Sequence, residues 1–180
     1  NMHLQVTTEA VGRYSPEEMR KLAYDVIPPG LSIGIREMIP SRSPSDQDIK
    51  LYKSLTESGT KIQHICYEPE DINLLSELLD RSNISKDGTW CLFVIGHYSG
   101  IISDPKKIPL FTEKLKLNNF NADWAVCAFG KEEFSCLELS VKLGGKVRVG
   151  FENSIYLPNG DVAADNETKV DVINRLLNLN

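Results

Sequence analysis

Six short runs rich in β-branched and aromatic residues, at 3–8, 31–38, 61–67, 89–96, 123–129 and 146–152, alternate with segments of helical pattern along the whole chain. Parallel strands need a long crossover to reach their neighbours, and that crossover is usually a helix, so this alternation specifies a parallel α/β sheet. Helix starts have local causes. Ser15 followed by Pro16, Glu17 and Glu18 supplies an N-cap, a first-turn proline and acidic residues against the dipole, which predicts a helix over 15–26. Ser45 and Pro69 open expected helices over 46–58 and 70–79, with Gly59 suited to end the first. Further helices are expected over 106–117, 132–143 and 166–179, the middle one stopped by Gly144 and Gly145.

Two architectures fit a parallel βα order: an open doubly wound sheet and a closed (β/α)₈ TIM-type barrel. No G-x-G-x-x-G follows an early strand, which disfavours the dinucleotide-binding sheet. A complete barrel takes about 250 residues, and this chain has 180. The expectation is therefore one barrel domain over 1–180 with only about six of its βα units present. Asn1 before Met2 fits a chain that is incomplete at its N-terminus.

With 41% hydrophobic and 25% charged residues, the chain can bury a sizeable core and is not of the disordered class. A net charge of -5, with Lys and Arg scattered, leaves no electrostatic footprint for nucleic acid. No stretch reaches transmembrane length, and residues 1–10 lack the regions of a signal peptide, so a soluble cytoplasmic protein is expected. Cys66, Cys91, Cys127 and Cys136 have no C-x-x-C spacing, and three sit in apolar runs, so they read as small buried hydrophobes.

The segment KVRVGFEN, 146–153, concentrates the chemistry. On a strand, Val147, Val149 and Phe151 share one face while Arg148, Gly150 and Glu152 share the other. Burying that cation and carboxylate costs several kcal/mol unless each finds a partner, which marks the segment as a candidate site.

The longer run GGKVRVGFENSIYLPNGDVAADNETKV, 144–170, resembles the C-terminal signature of the β-keto acid cleavage enzymes. Weaker similarity runs through QVTTEAVGRYSPEE, FVIGHYSGI and DWAVCAFGKEEFSCLELSVKLGG. The resemblance implies a TIM-type barrel, a retro-Claisen exchange of a β-keto acid with acetyl-CoA giving acetoacetate and an acyl-CoA, and a homo-oligomer. It places the missing units at the N-terminus. It also implies zinc held by a His-x-His pair and by the glutamate here numbered Glu152. His-x-His is absent from the sequence, where His3, His64 and His97 are isolated, so zinc belongs to the parent family and is expected to be weak or missing here.

Other positions transfer unevenly from the family. Its usual aspartate after the metal glutamate, assigned acid/base work, is Asn153 here, which cannot take a proton at neutral pH. Its Ser/Thr-Thr-Gly-Gly substrate turn is Thr7, Thr8, Glu9 and Ala10. Thr7 and Thr8 are expected to contact substrate. Glu9 adds a negative charge that suits a smaller or cationic substrate group or a pairing with Arg36 or Arg148, and Arg148 would orient the substrate charge. His97, at a strand's C-terminal end, stands where barrel enzymes keep functional residues.

Plainer readings stand beside these. Arg148 and Glu152 would make a simple ion pair, and Thr7 would serve β-propensity. His64 would be a hydrogen-bonded core histidine facing either lumen or helices, and His3 lies near a chain end. Arg36 and Glu37 would be site residues or one exposed pair. The competing function is a catalytically inactive barrel fragment, or a binding or oligomerisation subunit that lacks the metal site.

Overall fold

A computed structural model describes residues 4–10, 12–97 and 99–178. Six strands, β1 (Val6–Thr7), β2 (Gly30–Gly34), β3 (Lys61–Cys66), β4 (Asp87–Ile95), β5 (Asn121–Ala128) and β6 (Lys146–Val147), follow one another in sequence order in the sheet. Helices α1 (Pro16–Val26), α2 (Ile35–Met38), α3 (Asp46–Glu57), α4 (Glu70–Ser82), α5 (Ile108–Leu117), α6 (Glu133–Lys142) and α7 (Asn166–Leu176) alternate with them. This is the parallel α/β order expected from the sequence. The chain divides into two compact units, Asn1–Cys91 with Phe111–Asp123, and Leu92–Leu110 with Trp124–Asn180.

In the first unit β1, β2 and β3 pair in parallel, with Thr7 opposite Ser32, Ser32 opposite Gln63 and Ile33 opposite His64. β2 is buried along nearly its whole length, as a strand covered on both faces must be. One face is polar: Gln63 is buried and accepts a hydrogen bond from Gln5 at 3.2 Å. The other packs on helices, where His64 stacks on Tyr52 of α3 with ring centroids 5.8 Å apart. That settles the orientation of His64 toward the helices.

α1 starts as expected: Ser15 accepts from the Glu18 N–H at 3.3 Å while Glu18 accepts from the Ser15 N–H at 2.8 Å. Such a reciprocal cap contributes about 1 kcal/mol. Ser45 and Asp48 repeat it at α3, and Gly59 follows with φ +77°. α4 runs past the expected Leu79 to Ser82, because Asn83 is the residue that takes the left-handed conformation ending it. β2 ends at Gly34, four residues before the expected Met38, since Ile35–Met38 turn into α2.

In the second unit β5 and β6 pair in parallel, Ala125 opposite Lys146 and Val126 opposite Val147. Leu92, Phe93, Ile95, Val126, Cys127, Cys136, Leu137 and Ile173 are buried there, and Phe93 stacks on Trp124 at 5.3 Å. All four cysteines are free and buried. The expected strand over 146–152 stops at Val147. His3 and the last two residues, including the expected helix end Leu179, lie outside the described residues.

Candidate functional site

In the first unit the C-terminal ends of the strands carry Thr7, Thr8, Glu9, Glu37 and Tyr67. Thr8 is buried, and its hydroxyl and its N–H both donate to the Ser32 carbonyl at 3.0 Å. Its oxygen therefore serves strand pairing first. The Thr7 hydroxyl accepts from the Glu9 N–H at 3.2 Å, a turn-forming bond. Thr7, Thr8 and Glu9 line a cleft of about 540 Å³ together with the apolar side chains of Met19 and Leu22. The Glu37 carboxylate accepts from the Ala10 N–H at 2.9 Å and from the Tyr67 hydroxyl at 3.3 Å. The same hydroxyl lies 3.5 Å from Glu9. Gly34 makes room for this arrangement: a Cβ there would stand 2.9 Å from a Glu37 carboxylate oxygen.

Of the two readings for Arg36 and Glu37, site residues or one exposed pair, the pair is not the one formed. Arg36 bonds Asp71 and lies 5.6 Å over the Tyr67 ring. Asp71, fully buried at the start of α4, also accepts from Arg42 at 2.7 Å and from the N–H groups of Tyr67 and Glu68 at 2.8 and 3.1 Å. The side chain that shapes this end of β3 is thus Asp71.

In the second unit the segment that reads as a strand leaves the sheet after the Arg148 N–H bonds the Val126 carbonyl at 2.9 Å. Residues 151–153 form a turn, in which the Asn153 and Ser154 N–H groups donate to the Gly150 carbonyl at 3.0 and 3.3 Å. Strand alternation therefore does not place Arg148 and Glu152 on a common buried face. The turn brings them together instead: they form an ion pair four residues apart, with side chains 39% and 67% exposed. Gly150 is not demanded by packing, since a Cβ there would meet only the Asn166 side-chain oxygen, at 3.9 Å.

Asn153 is 7% exposed, and among the described residues neither its amide nitrogen nor its amide oxygen has a hydrogen-bond partner. The Arg148 Nε is likewise buried and unpartnered. Unpaired buried polar atoms cost about 1–3 kcal/mol each, so their persistence beside an ion pair marks a place able to receive a polar group.

Two side chains of α7 hold the turn. Asn166 accepts from the Phe151 N–H at 2.9 Å, and Lys169, fully buried, donates to the carbonyls of Ser154 and, at 3.5 Å, Gly150. The Lys169 ammonium also pairs with Glu133 at 2.8 Å. Burial raises the Glu133 carboxyl above its ordinary pKa, and the bond and charge of Lys169 work against that rise.

His97 closes β4's end: its Nδ1 accepts from the Ser99 N–H at 3.1 Å and lies 2.8 Å from the Ser99 hydroxyl. Next to it, the buried Ser103 hydroxyl lies 2.6 Å from the Ile95 carbonyl and accepts from the Phe129 N–H at 2.8 Å. Gly96, at φ +83°, packs so close to Ser103 that a Cβ would overlap its hydroxyl. His64 is the core histidine: Nδ1 bonds the Trp90 carbonyl at 3.0 Å, Nε2 has no partner among the described residues, and burial lowers its pKa to about 4.

The zinc that the family resemblance implies finds no matching donor set. Among the described residues no group of three or more His, Cys, Asp or Glu could hold a metal ion. Glu152 is two-thirds exposed and engaged by Arg148.

Sequence reasoning named Arg148, Glu152, Asn153, Thr7, Thr8, Glu9 and His97 but missed Tyr67, Asp71, Glu133 and Lys169. A signal existed for the last three. Each opens the apolar stripe of its helix: Asp71 before Leu74, Leu75 and Leu78; Glu133 before Cys136 and Leu137; Lys169 before Ile173. A charge at an apolar-stripe position announces a buried partner.

A protein-family model described as beta-keto acid cleavage enzyme matches residues 1–179. Among curated proteins, a 3-keto-5-aminohexanoate cleavage enzyme of Acetoanaerobium sticklandii is 25% identical over 71% of this chain and 45% of its own length. A protein of the same name from Fusobacterium nucleatum is 38% identical over 29% of this chain and 20% of its own. A 3,5-dioxohexanoate:acetyl-CoA acetone transferase of Paraburkholderia graminis is 22% identical over 67% of this chain and 39% of its own. The chain spans less than half the length of these relatives.

Proposed function

Because this chain belongs to the beta-keto acid cleavage enzyme family, we propose that it takes part in acyl exchange between a β-keto acid and acetyl-CoA. In that exchange the bond between the keto carbon and C2 of the β-keto acid breaks. The acyl group passes to the CoA sulfur, and the acetyl group passes to C2, which gives acetoacetate and a new acyl-CoA. The relatives that act on 3-keto-5-aminohexanoate and 3,5-dioxohexanoate support a β-keto acid as the substrate class.

The observation that carries this reading is the Asn153 amide, buried with both polar atoms unpartnered among the described residues, on the segment that also carries the unpartnered Arg148 Nε. Each is an N–H donor of the kind that suits a keto oxygen or carboxylate, where donors fixed in a low-dielectric setting stabilise developing negative charge. Arg148, in the same unit, orients the substrate charge. His97, at the end of β4, is the proton carrier in this reading, because an amide at 153 cannot titrate near neutrality. No step is derived through zinc, which these residues do not gather. A homo-oligomer belongs to the same reading, because β1 and β6 come first and last in the sheet order of the described residues and edge strands invite pairing with other chains.

The test is Asn153→Ala, assayed with a β-keto acid and acetyl-CoA. Loss of the amide donor should lower turnover by about 10²–10³-fold in a folded variant. An unchanged rate overturns this reading. A second reading, a non-catalytic binding subunit, is favoured by the closed Arg148–Glu152 pair. It predicts that β-keto acid binds in calorimetry with no acyl-CoA formed by either protein.

A further inference from the structure

The Lys169–Glu133 pair is placed where it makes little sense as stabilisation alone. Both side chains are essentially removed from water. Desolvating two charges offsets most of their mutual attraction, and well-packed apolar pairs of the same volume stabilise as well or better. What the pair has that an apolar pair lacks is direction. The three protons of an ammonium match three acceptors here: the Glu133 carboxylate, the Gly150 carbonyl and the Ser154 carbonyl. Those two carbonyls flank Glu152 and Asn153. Asn166, one helical turn earlier on α7, holds the Phe151 N–H between them. From the side of α6, the Gly130 N–H reaches the Asn153 carbonyl at 3.4 Å, three residues before Glu133. The Asn153 backbone is thus tied down on both sides while its amide is left unbonded.

We propose that Lys169, held by Glu133, is a positioning residue: it clamps the carbonyls of Gly150 and Ser154 and so fixes the buried Asn153 amide toward the bound β-keto acid. This rests on the functional reading above. It adds that α7 sets the geometry of the donor, although neither Lys169 nor Glu133 touches substrate. Removing the clamp leaves the chemical groups in place and loosens their aim. A misplacement of about 1 Å in a reacting group can cost on the order of 10²-fold in rate.

The experiment compares the wild-type chain with Lys169→Leu/Glu133→Leu, which removes both charges at once. Lys169→Met/Glu133→Gln, closer in shape on both sides, takes its place if the leucine pair does not fold. The expected result is a melting temperature at or near wild type, a fall in kcat of about 10- to 100-fold, and a KM changed by less than about threefold. In parallel, the Asn153 side-chain amide signal in ¹⁵N NMR, assigned by its loss in Asn153→Asp, broadens or splits in the variant. A folded variant with unchanged kcat and an unchanged Asn153 signal overturns the clamp and leaves the pair a structural one. If the wild-type chain shows no turnover, the acyl-exchange reading fails by itself, and the Asn153 signal then decides whether Lys169 fixes the amide.

Discussion

The Arg36 guanidinium is bonded through Nε to both carboxylate oxygens of Asp71, at 3.2 and 3.0 Å, and not to Glu37 beside it. Asp71 therefore gathers two cations and two backbone N–H groups while showing no surface to solvent.

Asp71→Ala should be among the most damaging single changes in the first unit. It strands two backbone donors and leaves Arg36 without its anion, a loss of about 3–5 kcal/mol by analogy with broken buried pairs. Urea unfolding checks it. A midpoint within error of wild type would show that water replaces the carboxylate at no cost.

Acid sensitivity should trace to His64. Its pKa falls from an ordinary 6.5 to about 4 in the folded chain, because burial disfavours the charged ring. The unfolded chain thus binds the extra proton first. Stability from this group is complete above pH 6.5, declines as pH falls toward 4, and declines no further below that. The total is on the order of 3 kcal/mol. His64→Gln should flatten the dependence of melting temperature on pH between 6.5 and 4 by about one proton's slope. An identical slope in both proteins would place the acid-labile group elsewhere.

Gly145 lies against the face of Trp124, close enough that a Cβ would overlap the ring. Gly145→Ala should therefore cost about 1–3 kcal/mol through overpacking and shift tryptophan fluorescence as the Phe93–Trp124 stack moves. Trp124→Phe in the same chain should recover part of the loss. If the double variant is no better than Gly145→Ala, the strain is in the backbone and not at the ring.

Glu152→Gln should change little in the isolated chain. The pair with Arg148 is exposed, and such pairs contribute under about 1 kcal/mol. Metal analysis after refolding with zinc should find it well below one equivalent in wild type and variant alike. Stoichiometric zinc lost with Glu152→Gln would restore this residue to the ligand role that the family resemblance implies.

The legible part of this fold is local. Ser15, Ser45 and the acidic residues after them announce α1 and α3 because a cap needs only neighbours in sequence. The strand over 146–152 was legible as a pattern and wrong as geometry. Alternation reports which side chains would share a face, but the ladder to β5 ends at Val147, and bonds from α7 and from Gly130 hold what the chain does next. Thr8 illustrates the same limit. Its hydroxyl looks available for substrate until the register places the Ser32 carbonyl 3.0 Å away. Charged residues on apolar stripes were the overlooked signal. Asp48 before Leu51, Tyr52 and Leu55 follows the rule of Asp71, Glu133 and Lys169, and its partner is Arg20 at 2.7 Å.

Gly96 gives the end of β4 a property that a selection experiment would expose. With Ser103 filling the space where a side chain would start, and with φ at +83°, no other amino acid fits without breaking the bonds from Ser103 to Ile95 and Phe129. A library randomised at 96 and 97 and sorted only for folded protein should return a single letter at the first position and many at the second. The strand end thus offers a rigid mount with an interchangeable head, from which a lineage can exchange His97 for other chemistry without rebuilding the floor beneath it.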